Sequence, residues 1–298
     1  MTRWTSPAWE PVRVPEDAAN GQRALVLGGG GVAGIAWEVG VLARLAELGI
    51  DLAAQADLVV GTSAGACVGA LVRGPGGYDT LVATQRLPVG QTKERMPDVD
   101  LDLVMEVFGL IAPGQDDPAE ARRTVGAIAM ATETVPEDER REIIAWRLPS
   151  EAWPDRPLIV TAVDAETGER VTFDGSSAVS LVDAVAASCA VPGIWPPVTI
   201  GGRRYIDGGV YSTTNADLAK GYGLTVVLRP LAIGGDDAYA GRTEATPLHP
   251  PLVVVADTES VEAFGPNPRD PATRGPALGA GMRQGEEAAS EIERYWSA

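Results

Sequence analysis

The sequence is poor in the residues that most often carry chemistry. It has one histidine, His249, and two cysteines, Cys67 and Cys189. A disulfide framework needs more cysteines, and two separate thiols in Ala/Val/Ser-rich surroundings fit a reducing compartment. Aromatic residues make up only 5%, so the core is expected to be aliphatic. Basic residues are outnumbered, 24 against 41 acidic, for a net charge of −17. That excludes phosphate-backbone binding and electrostatic docking on anionic lipid, leaving at most transient contact with a membrane surface. No run of 18 apolar residues occurs, so no transmembrane helix is expected. Residues 1–22 contain Trp4, Trp9 and several prolines but no apolar stretch, and are expected to form an extended leader rather than a secretory signal. Together these absences predict a cytoplasmic protein. No cluster of metal ligands stands out, and Asp236-Asp237 reads as a solvated loop, so neither metal nor cofactor is expected.

What the chain has is length and aliphatic content: 298 residues, 45% of them hydrophobic, enough for one large core. A short apolar stretch at 24–27 precedes four glycines and a helical pattern over 34–48, with Ile35, Val39, Leu42, Leu45 and Leu48 on one face. A second strand at 57–60 enters a glycine-flanked turn and a helix over 64–72. Strand, glycine turn and helix, repeated, is the grammar of a parallel sheet with covering helices. Residues 75–97 read as loop. Residues 99–147 read as a helical insertion broken near Pro113, Pro118 and Pro136, which covers or flanks the site. Strands follow at 158–163 and 170–173, a helix around 180–188, and a strand pair about Gly201-Gly202. A helix starts near Thr214. Strands at 225–229 and 252–255 close the sheet, and a last helix spans 271–296. The organisation expected is a leader, 1–22, and one domain, 23–298.

Gly61-Thr62-Ser63-Ala64-Gly65 matches G-x-S-x-G between a predicted strand and a predicted helix. In that setting Ser63 adopts a strained turn that lifts its hydroxyl above the sheet, and Gly61 and Gly65 remove side chains that would clash. The N–H of Ala64 opens a helix and can face a developing oxyanion. The run Gly29-Gly30-Gly31 with Gly34 admits three readings. One is a dinucleotide fingerprint, which expects an acidic residue closing the next strand, where Val60-Gly61 stands instead. Another is a loop of free N–H groups forming an oxyanion hole. The third is a purely structural tight turn. Asp207-Gly208-Gly209 supplies a carboxylate between residues small enough for close approach, although Asp-Gly-Gly by itself is an ordinary turn. A nucleophilic serine needs a base. The candidates are Asp207 directly, or His249 in a Ser63–Asp207–His249 triad.

These blocks, in this order, resemble the patatin-like phospholipase family, together with Gly40-Val41-Leu42, Ala187-Ser188-Cys189-Ala190-Val191-Pro192 and Pro196-Pro197-Val198. The resemblance spans roughly residues 23–220. It implies a patatin-like three-layer α/β/α sandwich with a mostly parallel central sheet. It also implies a Ser63–Asp207 dyad, an oxyanion hole in the 29–31 loop, and cofactor-free cleavage of carboxylic esters of lipids. Two blocks depart from the family pattern. Ala33 stands where the loop often carries Arg or Lys, which removes a positive charge. Thr213 and Asn215 stand where Asn and Pro often follow Asp-Gly-Gly. Alternatives on the same fold are a small-ester esterase or thioesterase, favoured by Ala33 and the acidic surface, and a non-catalytic binding relative.

Overall fold

The computed structural model describes residues 22–97, 100–112, 114–231 and 250–297. Eight strands form one sheet: β1 (Arg23–Leu27), β2 (Leu58–Thr62), β3 (Leu158–Asp164), β4 (Arg170–Phe173), β5 (Val198–Ile200), β6 (Arg203–Asp207), β7 (Leu224–Arg229) and β8 (Leu252–Val255). The centre, β3-β2-β1-β7-β8, is parallel throughout. Such strands are covered on both faces and read as unbroken apolar runs. Leu25 and Leu27 of β1 join one buried cluster, and Ala24 and Val26 join another on the opposite face.

The larger cluster packs under α1 (Gly31–Glu47), α3 (Ala64–Arg73), α8 (Leu181–Ser188) and α10 (Arg274–Trp296). The opposite face is thinner. It is closed by Ala216, Leu218, Ala219 and Tyr222, and farther along by α5 (Leu101–Leu110) and α6 (Pro118–Ala131) against Val163 and Ile206. The result is a mostly parallel sheet with helices on both sides, as the sequence implied.

Register decides where the chemistry falls. Residues 59–62 of β2 pair with 158–161 of β3, and Asp207, Ile206 and Tyr205 of β6 pair with Ala162, Val163 and Asp164. Because β4 pairs with 160–163, overlapping both, β2 and β6 must share the opposite edge of β3. They run toward each other along it. Their C-terminal ends therefore meet head to head, with Thr62 opposite Thr161 and Asp207 opposite the next residue, Ala162.

Several expectations are corrected. Residues 75–97 are not all loop: α4 (Tyr78–Gln85) lies there, with Leu81 buried. A short α2 (Leu52–Gln55) and an α9 (Thr258–Phe264), capped by Asp257, were not expected. Leu48, expected on the apolar face of α1, is instead exposed at its C-cap, whereas Pro118 opens α6 at the break expected there. The helix expected near Thr214 is one 3₁₀ turn, Ala216–Ala219, preceded by left-handed Asn215. Between α6 and β3 lies α7 (Glu137–Arg147). Residues 1–21, Asp236-Asp237 and His249 lie outside the described residues.

Candidate active site

Ser63 follows the last residue of β2 and caps α3 with φ 53 and ψ −112, one of two non-glycine residues with positive φ among those described. For a side chain this conformation is strained and survives only where the surroundings enforce it. The enforcement is close packing. A Cβ on Gly65 would lie 2.1 Å from the Leu27 carbonyl oxygen, and one on Gly61 would lie 2.5 Å from the Gly65 oxygen. Only glycine lets α3 sit this tightly on β1.

The sequence blocks are tied to one another by backbone hydrogen bonds. The Gly65 N–H donates to the Gly28 carbonyl (3.0 Å), and the Gly29 N–H donates to the Thr213 carbonyl (2.9 Å). The Ser63 N–H donates to Ser188 Oγ (2.9 Å), and the Asp207 N–H donates to the Ala190 carbonyl (3.0 Å). Gly28 also donates to Oε1 of Glu38, a carboxyl fully buried in α1 whose pKa burial raises well above the usual range. Glu38 thus anchors the glycine loop from below, a role the sequence did not signal.

Asp207 is 5% exposed and Ser63 8%. Oδ1 of Asp207 accepts from the Gly209 N–H at 2.7 Å. Oδ2 is buried without a partner among the described residues. Burial pushes this carboxyl up to about 6, against the lowering effects of the Gly209 N–H, the Ser63 hydroxyl, Arg269 and Arg140. The Ser63 hydroxyl is near enough to act on that pKa, but no hydrogen bond of normal geometry closes on Oδ2.

Ser63, Asp207 and Gly29–Gly31 line one pocket of about 180 Å³, whose remaining wall is largely apolar through Val107, Phe108, Ile111 and Val210. Gly30 precedes α1 and Ala64 opens α3, so two positive helix ends converge beside the nucleophile. The Gly29 N–H, expected as an oxyanion donor, is instead committed to Thr213. Unbonded donors are to be sought at Gly30, Gly31 and Ala64, since the first N–H groups of a helix have no intrahelical acceptor.

Three groupings were missed in the sequence. Asn215 is fully buried with φ 52, and its amide nitrogen is within 3.3 Å of Thr62 Oγ1, Thr161 Oγ1 and the carbonyls of Gly208 and Ser212. It joins the end of β2 and the middle of β3 to the aspartate turn. Its place six residues after Gly209, noted in the sequence only as a departure from the family pattern, was the available signal. Cys67 and Cys189, far apart in sequence, bring their sulfurs within 3.7 Å, and the Cys189 thiol donates to the Ser63 carbonyl. The positive charge absent at Ala33 returns from elsewhere. The Ala33 N–H donates to the Pro268 carbonyl, and the next residue, Arg269, lines the pocket with Ser63 and Asp207.

Comparison with known proteins identifies the family. The patatin-like phospholipase domain matches over residues 25–220. Patatin-like phospholipase domain-containing protein 7 of Mus musculus is 30% identical over 208 residues, and that of Rattus norvegicus 31% over 207. Each match covers 69% of this chain but only 13% of the relative's length. Among solved structures, VipD from Legionella pneumophila aligns with TM-score 0.47 and 14% identity, covering 92% of this chain and 68% of that one. ExoU of Pseudomonas aeruginosa, in complex with SpcU, aligns with TM-score 0.45 and 16% identity, covering 94% and 54%. Among the described residues no helix is long and apolar enough to cross a membrane, and no group of three or more His, Cys, Asp and Glu is placed to hold a metal ion. With the family domain matched over residues 25–220, about two thirds of its length, the chain belongs to the patatin-like phospholipase family.

Proposed function

We propose that this protein hydrolyses carboxylic esters of lipids through an acyl-enzyme on Ser63, with Asp207 as the base. The observation that carries the reading is the head-to-head meeting of β2 and β6, which delivers a strained serine and a buried carboxylate to one apolar pocket. Oδ1 of Asp207 is held by Gly209, which leaves Oδ2 as the acceptor for the serine proton. As that proton moves, Ser63 Oγ attacks the ester carbonyl carbon. The carbonyl oxygen becomes an oxyanion beside the N–H groups of Gly30, Gly31 and Ala64. The tetrahedral adduct then collapses, and Asp207 returns its proton to the departing alkoxide. Water next gives a proton to Asp207 and attacks the acyl-serine, releasing the acid and restoring both residues. A carboxyl raised to about 6 suits the task better than one at about 3.9, because a stronger base remains mostly ionised at neutral pH. The apolar wall gives the acyl chain a place to lie.

The test is covalent. A fluorophosphonate probe is expected to add one adduct per chain, mapped to Ser63 by peptide mass spectrometry, and to abolish hydrolysis of a short-chain p-nitrophenyl ester. Labelling elsewhere, or hydrolysis that survives full labelling of Ser63, would remove Ser63 as nucleophile.

A further inference from the structure

A second, smaller cavity of about 30 Å³ adjoins the first, with Ser63, Gly31, Val191 and Arg269 in both walls. Ala64, at the positive end of α3, also lines it, and so does Arg140 of α7. Arg140 is only 3% exposed, yet its Nε and Nη1 have no hydrogen-bond partner among the described residues. Its guanidinium stacks over the Trp195 ring at 3.9 Å. The neighbouring carboxylate is already taken: Glu94 receives both Nε and Nη2 of Arg147, at 2.7 and 2.6 Å. Arg269 has no ion-pair partner among the described residues, and Asp207 is the acidic group whose charge acts on it. Burial lowers the pKa of both arginines, Arg140 to about 10, so holding them charged costs free energy that the protein's own groups do not fully offset.

A buried cation with open donors, a second cation and a helix N-terminus on one small cavity make an anion site. Stacking on Trp195 alone is a weaker account, because it leaves Nε and Nη1 unmatched. We propose that Arg140 and Arg269 form a specificity subsite beside Ser63 that receives a compact, uncapped anion of the substrate, a phosphomonoester next to the scissile ester. The acyl chain then lies along the apolar wall, the ester carbonyl sits at Ser63 where the two cavities join, and the phosphoryl oxygens meet the two guanidinium groups. The cavity has room for about two water molecules, which suits terminal phosphoryl oxygens and not a choline-capped diester. This inference rests on the acyl-hydrolase reading above.

The test compares lysophosphatidic acid, lysophosphatidylcholine and monoacylglycerol carrying one acyl chain. Wild-type kcat/KM is expected to favour lysophosphatidic acid by about tenfold or more, and Arg269→Gln and Arg140→Met to reduce that preference to within about threefold. Equal kcat/KM for the three substrates, or a preference that survives both substitutions in folded protein, overturns the subsite. Should Arg140→Met fail to fold by circular dichroism, Arg269→Gln decides. Inorganic phosphate is expected to inhibit monoacylglycerol hydrolysis competitively in wild type and much less in Arg269→Gln. Phosphate inhibition without a lysophosphatidic acid preference assigns the cavity to a free anion and overturns the substrate role. If no ester is hydrolysed, the acyl-hydrolase reading fails, and the subsite is judged by binding alone. Phosphate, against chloride of equal ionic strength, is expected to raise the Tm of Ser63→Ala protein and not of the Ser63→Ala/Arg269→Gln double variant. A rise that is equal in both, or absent from both, overturns the subsite.

Discussion

The turns that end β2 and β6 reach the same pocket by different physical means. The serine turn is held by exclusion: Gly61 and Gly65 let backbone press on backbone, and Ser63 sits at positive φ with little room to relax. The aspartate turn shares one such close approach, Gly208 on the Thr161 backbone, and adds polar contacts: the Ala190 carbonyl, the Gly209 N–H and the Asn215 amide with its threonine partners. Asp207 itself has ordinary extended backbone, φ −50 and ψ 133. A nucleophile must be placed to within a fraction of an ångström, and steric closure does that while the polar contacts from Ser188 and Cys189 engage only the Ser63 backbone and leave its hydroxyl free. A base must keep one oxygen free, so the polar contacts engage only Oδ1 and leave Oδ2 to the reaction.

The largest expected effect falls on both turns alike. Ser63→Ala and Asp207→Asn are each expected to lower kcat by a factor on the order of 10⁴ to 10⁶, because the two groups act as a unit. Steady-state hydrolysis of a p-nitrophenyl ester measures this, with circular dichroism to show that the fold survives. A double variant much slower than either single one would mean that the residues act independently.

The glycines separate the turns. Gly65→Ala places a Cβ 2.1 Å from backbone that cannot give way, so the cost is expected in stability, about 3 kcal/mol or more. Gly209→Ala meets only Oδ1 of Asp207, at 2.9 Å, the end of a side chain that can swing aside. Its stability cost is expected near 1 kcal/mol, while kcat falls about 10²-fold because the carboxylate is displaced. Urea melts and rates on the same preparations check both. A Gly65→Ala protein as stable as wild type would show that α3 can lift off β1, and steric closure would not be what fixes Ser63.

Asp207 also links activity to stability in opposite directions. Its folded pKa of about 6 lies above the unfolded value of about 3.9, so the folded state holds that proton more tightly. The stability this contributes is complete below about pH 4 and is lost as pH rises through about 6. Activity runs the other way, with kcat/KM expected to rise through about pH 6 and then level off. Asp207→Asn removes the buried charge and is expected to be more stable than wild type at pH 8 by up to about 3 kcal/mol, with the gain vanishing near pH 3. A variant less stable than wild type at pH 8 would mean that the ionised carboxylate is better satisfied than its unpartnered Oδ2 implies.

The two turns also differ in how far they could be seen in the sequence. The serine turn is local: five residues between a strand and a helix carry its constraints, and its strand and helix lie within a few residues of where the pattern puts them. Asp207 was recognisable only through family resemblance, because its meeting with Ser63 depends on two strands sharing one edge of β3, a pairing across more than 140 residues of chain. Arg140, Arg269, Asn215 and the Cys67–Cys189 contact are likewise long-range encounters, with no periodicity to mark them. The helix at 78–85 escaped because only Leu81 and Gln85 are buried, so it shows almost no apolar face.

The smallest expected effect tests whether the aspartate turn is sufficient as a base. A triad needs an imidazole to shuttle the proton, and His249 is the chain's only histidine. A dyad needs none, because Oδ2 of a carboxylate raised to about 6 can take the serine proton itself. If the polar contacts around Asp207 complete the base, His249→Ala is expected to keep kcat/KM within about tenfold of wild type, roughly 1.4 kcal/mol. The pH dependence should keep its inflection near 6, since the titrating group is unchanged. A loss of about 10³ or more with the fold intact would make imidazole the base and leave Asp207 to orient it. In that case the inflection would belong to the histidine, and Asp207→Asn would retain more activity than His249→Ala.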